Sequence, residues 1–360
     1  MSRVDVSTAA PAGLPPSPAF ADRRRTADRI FRGALIFNTV LTLFWAVMLA
    51  TNGNAYFFTT YGVTREGLIR VFTGILFFNV IWGFIWYGVK TALLLVVAKF
   101  SKEEVRQVFS SRMRQPFDVG EFVGRHSERR IRIIDMVGRR GRFITLGLAG
   151  FFYLYSSLAV ANPSPKFASL FLQEHLFDAV VASWIFLGLY YSDGFLAAAF
   201  YGAQSRVMDG VLARANCLLI TTLWTVFKFV MVPIGARLAS IYRPAEFAVV
   251  FALIWGSYMI TDTAAEVGGS LFGKQTLRVW GIGDINRKSI GGTVSGFVAC
   301  LVFCLWIVLG RGLPVPWIGL AVVIAVSNTL LELFSPRGTD DFTMATANAL
   351  VCWAFGARVL

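Results

Sequence analysis

Residues 293–310 read TVSGFVACLVFCLWIVLG, and residues 315–333 read VPWIGLAVVIAVSNTLLEL. The first run carries no charge, and the second carries none before Glu332. A helix needs ~20 mostly apolar residues to cross the hydrocarbon of a bilayer, so each run is long enough to span. Working outward, runs of the same character occupy 34–50, 71–97, 144–161, 177–192, 217–236, 246–267 and 342–357. The expected fold is an all-α polytopic membrane bundle of about nine spans, with about eight to ten as the range because the runs at 177–192 and 342–357 are short. Composition agrees: a chain of 360 residues that is 56% hydrophobic and 15% charged is not an ordinary soluble domain.

A formal charge of +13 in a soluble chain would suggest nucleic acid. Here the bases follow the spans instead, and no nucleic-acid partner is expected. Arg23, Arg24, Arg25, Arg29 and Arg32 precede the first span, twelve bases lie from Lys99 to Arg142, and Lys274, Arg278, Arg287, Lys288 and Arg337 fall in later loops on the same side. The alternate loops are poorer in bases, with Arg65 and Arg70 in the first, Lys166 in the second and Arg311 in the last. That asymmetry predicts a cytoplasmic N-terminus and, for a bacterial chain, residence in the inner membrane.

Residues 1–25 are rich in Ala, Pro and Ser and read as a disordered tail. A two-span unit with a basic cytoplasmic segment covers 26–143, and the remaining spans form a core over 144–360. Within the basic segment, Val105, Val108, Phe109 and Met113 recur at helical spacing, which suits a helix lying along the headgroups or an ordinary connecting helix. Cys217, Cys300, Cys304 and Cys352 sit inside proposed spans without a Cys-x-x-Cys pair or a nearby His, so they read as small core residues and not as a zinc site.

Two polar loops interrupt the apolar core, over 262–293 and 332–343. In the first, Asp262, Glu266, Gly269 and Gly273 recur at intervals of four, three and four and so share one helical face. Bare glycines let either a ligand or a neighbouring helix come close, and both readings stand for Gly269. Lys274 follows Gly273, and after Gly281 and Gly283 the chain reads Arg287-Lys288-Ser289-Ile290-Gly291-Gly292-Thr293 before re-entering the membrane. Free N–H groups at a helix start, flanked by two bases, make an anion site or simply an interfacial anchor. In the second loop Glu332 precedes Ser335-Pro336-Arg337-Gly338-Thr339-Asp340-Asp341. One of the two adjacent acids can cap the next helix; a set of three or four carboxylates facing a basic loop is what a magnesium–triphosphate complex needs.

Together the loops resemble the dolichol kinase and phytol kinase group of CTP-dependent polyprenol kinases, relatives of phosphatidate cytidylyltransferase. Asp262-Thr-Ala-Ala265, Gly269 and Phe272-Gly273-Lys274 are similar to its Asp-x-x-Ala, Gly and Gly-Lys segment. Lys288-Ser289-Ile-Gly-Gly292-Thr293 resembles its Lys-Ser-x-Glu-Gly-Ser/Thr, and Glu332 with Gly338-Thr339-Asp340-Asp341-Phe342-Thr343 its Glu and Gly-x-Asp-Asn-Leu-Thr close. Gly291 departs from the family's Glu and Asp341 from its Asn, and the cytidylyltransferase branch's longer closing signature is missing. The resemblance implies CTP as phosphoryl donor, Mg2+, and an isoprenoid alcohol lying in the lipid bilayer as acceptor. It implies catalytic roles for Asp340, Asp262 and Lys288. It places the nucleoside triphosphate against Gly269, Gly273, Lys274, Arg287, Lys288, Ser289, Gly292 and Thr293, and the metal against Asp262, Glu332, Asp340 and Asp341. CDP-lipid synthesis is the alternative chemistry. Lys90, Asp178 and Lys228 lie within spans; Lys90 can snorkel, while Lys228 needs a partner such as Asp178, and these charges motivate transport as a rival from another class.

Overall fold

The computed structural model describes residues 18–51, 80–110, 119–141, 180–202, 204–279, 287–336 and 338–359. The described chain is helical throughout except for one short ribbon. The helices, in order, are α1 (Pro18–Thr51), α2 (Trp82–Val96), α3 (Lys102–Phe109), α4 (Val119–Arg125), α5 (128–141), α6 (Val180–Leu189) and α7 (Phe195–Gly202), followed by a 3-10 turn (Val207–Leu212). Then come α8 (Ala213–Ile241), α9 (Pro244–Phe272), α10 (Ile290–Gly310), α11 (Val315–Phe334) and α12 (Asp340–Val359). Among the described residues, four stretches are long and apolar enough to cross a membrane: Val207–Met231, Ala245–Phe272, Ile290–Gly310 and Val315–Phe334. The run at 144–161 lies outside the described residues, as do residues 71–79 of the second run.

Helices α8 to α12 share one core, in which Phe227, Tyr258, Cys304, Trp317 and Ala345 are buried together. All four cysteines are free and buried within the helices. A polar knot sits inside this core, where the Asn328 and Asn348 amides both donate to Ser257 Oγ, at 3.0 and 2.9 Å, and so tie α9, α11 and α12 together. On α10, the residues Val294, Val298, Val302, Trp306 and Leu309 form an exposed stripe at intervals of four and three. Water would penalise such a stripe and lipid tails would not.

The closest helix contact is between α9 and α10, and glycines make it. A Cβ on Gly292 would stand 2.5 Å from the Ala265 carbonyl and 3.2 Å from the Gly269 Cα; one on Gly296 would stand 3.0 Å from the Thr261 carbonyl. Backbone cannot step aside as a flexible side chain can. Gly292→Ala is therefore expected to push α9 and α10 apart at a cost of about 1–3 kcal/mol, read as a lowered unfolding temperature in detergent; an unchanged transition would mean the seam is looser than these distances say.

Two expectations need correction here. The proposed N-terminal tail is helical from Pro18, a residue tolerated at a helix's first position, and Phe20, Ala27 and Ala34 are buried against α6, α7 and α8. The basic segment does not lay its apolar side on lipid. Its helix α3 starts with a Ser101–Glu104 capping box and buries Val105, Val108 and Phe109 against Leu94, Phe122 and Ile131 of the same chain; Met113 lies outside the described residues. The all-α reading holds, with one detail added: an antiparallel ribbon, β1 (Thr276–Arg278) with β2 (Arg287–Ser289), which pairs Leu277 with Lys288. Three-residue strands with no apolar alternation give no sequence signal.

Candidate active site

The glycine seam decides where the polar loops go. Holding α10 tight against the end of α9 brings Ser289 beside Gly269 and Gly273, and the ribbon carries Lys288 inward from the same direction. The result is one cleft of about 140 Å³ lined by Asp262, Glu266 and Gly269 of α9, Lys288 and Ser289 of β2, Gly292 and Thr293 of α10, Glu332 of α11 and Asp340 of α12. Both polar loops read from the sequence thus meet at one place.

Lys288 is the centre of one half. Its ammonium lies 3.0 Å from Glu332 Oε1 and 3.2 Å from Asp340 Oδ2, with only 10% of the side chain exposed. Burial by itself would lower the lysine's pKa; the Asp340 and Glu332 carboxylates outweigh it and hold the group above its ordinary value. It stays charged at neutral pH.

The other half is a cluster of arginines, of which Arg139 and Arg140 belong to the basic segment read from sequence mainly as a topology signal. Arg139 Nη1 lies 2.8 Å from Glu266 Oε1, and Arg206 Nη2 lies 3.2 Å from the same oxygen. Arg140 contacts both Glu266 and Asp262. Burial would lower the Arg140 pKa, but Asp262 and Glu266 more than compensate and raise it. Arg139 and Arg140 come from α5, inside the unit 26–143, so the site crosses the boundary expected between that unit and the core. Behind them Lys90, 0% exposed, is bound to Asp135 at 2.8 Å and to the carbonyls of Gly202 and Ser205. Lys90 does not snorkel; an internal ion pair satisfies it. Asp178, suggested as a partner for Lys228, lies outside the described residues.

Several of the nucleotide contacts implied by resemblance are corrected. Lys274 is exposed on the turn after α9 and does not line the cleft. Gly269, Gly273 and Gly292 face one another and Ser289 across the seam, which is the packing reading. The helix start is also partly used up. Ser289 Oγ accepts from Gly292 N–H at 3.1 Å, the Ile290 N–H goes to the Gln275 carbonyl at 3.1 Å, and Thr293 Oγ1 donates to the Ser289 carbonyl at 3.3 Å. The Arg287 backbone pairs with Arg278, while its side chain, like Arg337 and residues 280–286, lies outside what is described.

Among the described residues no three carboxylates already surround one point as a metal cage. Asp262, Glu332 and Asp340 are each paired with Arg140 or Lys288. Asp341 differs, since its Oδ1 is buried without a hydrogen-bond partner, and it is near enough to Asp262 and Asp340 to interact with both charges. That suits magnesium, which is held by one or two carboxylates and completed by water and substrate phosphates. Compared with known proteins, the chain matches no family model, no curated protein and no solved structure.

Proposed function

We propose that this cleft transfers a phosphoryl group from a nucleoside triphosphate, CTP by the resemblance of its loops, to an isoprenoid alcohol held in the bilayer. The observation that carries the reading is Lys288, within 3.2 Å of both Glu332 and Asp340, in the same cleft as Asp262 and Glu266. Three stretches of the chain, at 262–266, 288 and 332–340, supply those charges. Phosphoryl transfer needs little covalent help from protein; it needs in-line positioning and neutralisation of charge on the transferring oxygens.

In this mechanism Lys288 offers a permanent positive charge to the transferring group. Asp341 and Asp340 would hold Mg2+, with Asp262 joining when Arg140 is drawn toward substrate. The ion, held by those carboxylates, would supply neutralisation of the charge that develops on the transferring group. Glu332 orients Lys288, and Asp340 accepts the hydroxyl proton of the alcohol. The low-dielectric surroundings strengthen each of these interactions. The excess of bases on one side of the proposed spans supports a cytoplasmic N-terminus and a cleft at the inner leaflet of a bacterial membrane, where nucleotide is available.

The test is purified protein in nanodiscs with CTP labelled at the γ-phosphate and with phytol, farnesol or a polyprenol. Label appearing in lipid is the expected result. Lipid labelled only from α-labelled CTP, with pyrophosphate released, would instead indicate CDP-lipid synthesis; solute flux in liposomes without any transfer would indicate a transporter.

A further inference from the structure

The donor reading leaves open which groups hold the phosphates. The glycine turn before α10 is the seat suggested by sequence, but Gly292 packs closely on α9 and its N–H is capped by Ser289. The charges point elsewhere. Arg132 and Arg206 both line the cleft, as do Lys288 and the carboxylates Glu332 and Asp340. Each guanidinium carries five N–H donors in a planar fork. Arg206 uses Nη2 on Glu266 and keeps Nε buried in the wall without an acceptor. Among the described residues Arg132 is seen paired with Glu128, one turn back on α5, at 2.6 Å, with a third of its side chain open.

On this basis, and resting on the phosphoryl-donor reading, we propose that Arg132 and Arg206 form the phosphate clamp of the cleft. The two guanidiniums hold the phosphate chain, and Asp340 and Asp341 would carry its cation. Planar forks suit phosphate oxygens better than a point charge does. The clamp comes from α5 and from the segment before the 3-10 turn, so the unit 26–143 supplies half of the binding site.

The experiment measures binding of magnesium tripolyphosphate and of magnesium CTP to the full chain in detergent, by calorimetry and by the ligand-induced rise in unfolding temperature. Arg132→Gln and Arg206→Gln are each expected to weaken tripolyphosphate binding about tenfold or more, the loss of one charge-assisted contact. Arg206→Lys recovers only part. Arg132 is half-exposed and bound within its own helix, so Arg132→Gln decides the matter if Arg206→Gln fails to fold. Unchanged affinity in Arg132→Gln overturns the clamp, as does a wild-type chain that binds no polyphosphate. Arginine-dependent binding of tripolyphosphate with neither CTP binding nor label transfer would keep the clamp and overturn the nucleotide donor.

Discussion

Lys288→Ala is expected to lower phosphoryl transfer by a hundredfold or more, on the ~10²–10³ scale found when one preorganised donor to developing charge is removed. The ammonium offsets two carboxylates, Glu332 at 3.0 Å and Asp340 at 3.2 Å. Without it those acids repel each other and any phosphate brought near them, so the loss falls on turnover as well as on binding. Lys288→Arg keeps the charge but changes its shape, and partial recovery is expected. The check is turnover at saturating donor and alcohol, with the unfolding transition followed in parallel. A variant that folds normally and turns over at near wild-type rate would remove Lys288 from the chemistry.

Arg140→Met is expected to be the most destabilising single change, at about 3–5 kcal/mol, the usual cost of stripping one partner from a buried ion pair. The Arg140 side chain is 5% exposed and contacts both Asp262 and Glu266. Glu266 keeps Arg139 and Arg206 after the change, whereas no other base is seen pairing with Asp262 among the described residues. Adding Asp262→Asn to Arg140→Met should therefore cost much less than the sum of the two single changes. Equilibrium unfolding of the four proteins in one detergent measures this. A loss below ~1 kcal/mol for Arg140→Met would be the value of an exposed pair and would mean water reaches the site.

The parts of the site that were legible in the sequence are those in which local periodicity and position agree. Asp262, Glu266 and Gly269 share a helical face because their spacing is helical, and α9 runs through all of them. Glu332 and Asp340 were conspicuous because an acid at the end of an apolar run is expensive unless it is used. Arg139, Arg140 and Arg206 were not legible. Basic clusters between spans ordinarily orient a membrane protein, and nothing local separates the bases that turn inward from those that do not. Lys90 misled for the same reason: its partner Asp135 is forty-five residues away. The glycines of 269 and 292 kept two meanings until the facing helix was known.

The amino-acid order alone determined that this chain is helical and suited to a bilayer, because hydrophobic runs and helical spacing are properties of neighbours; the polar stretches it marked as loops are in large part helix ends, since α9 runs on to Phe272 and α12 starts at Asp340. Only the tertiary structure decided that α9 and α10 meet along bare backbone, that Lys288 lies between Glu332 and Asp340, and that three arginines close on Glu266. A buried charge is stable only with a counter-charge within a few ångströms, and which residue provides it depends on how distant segments pack.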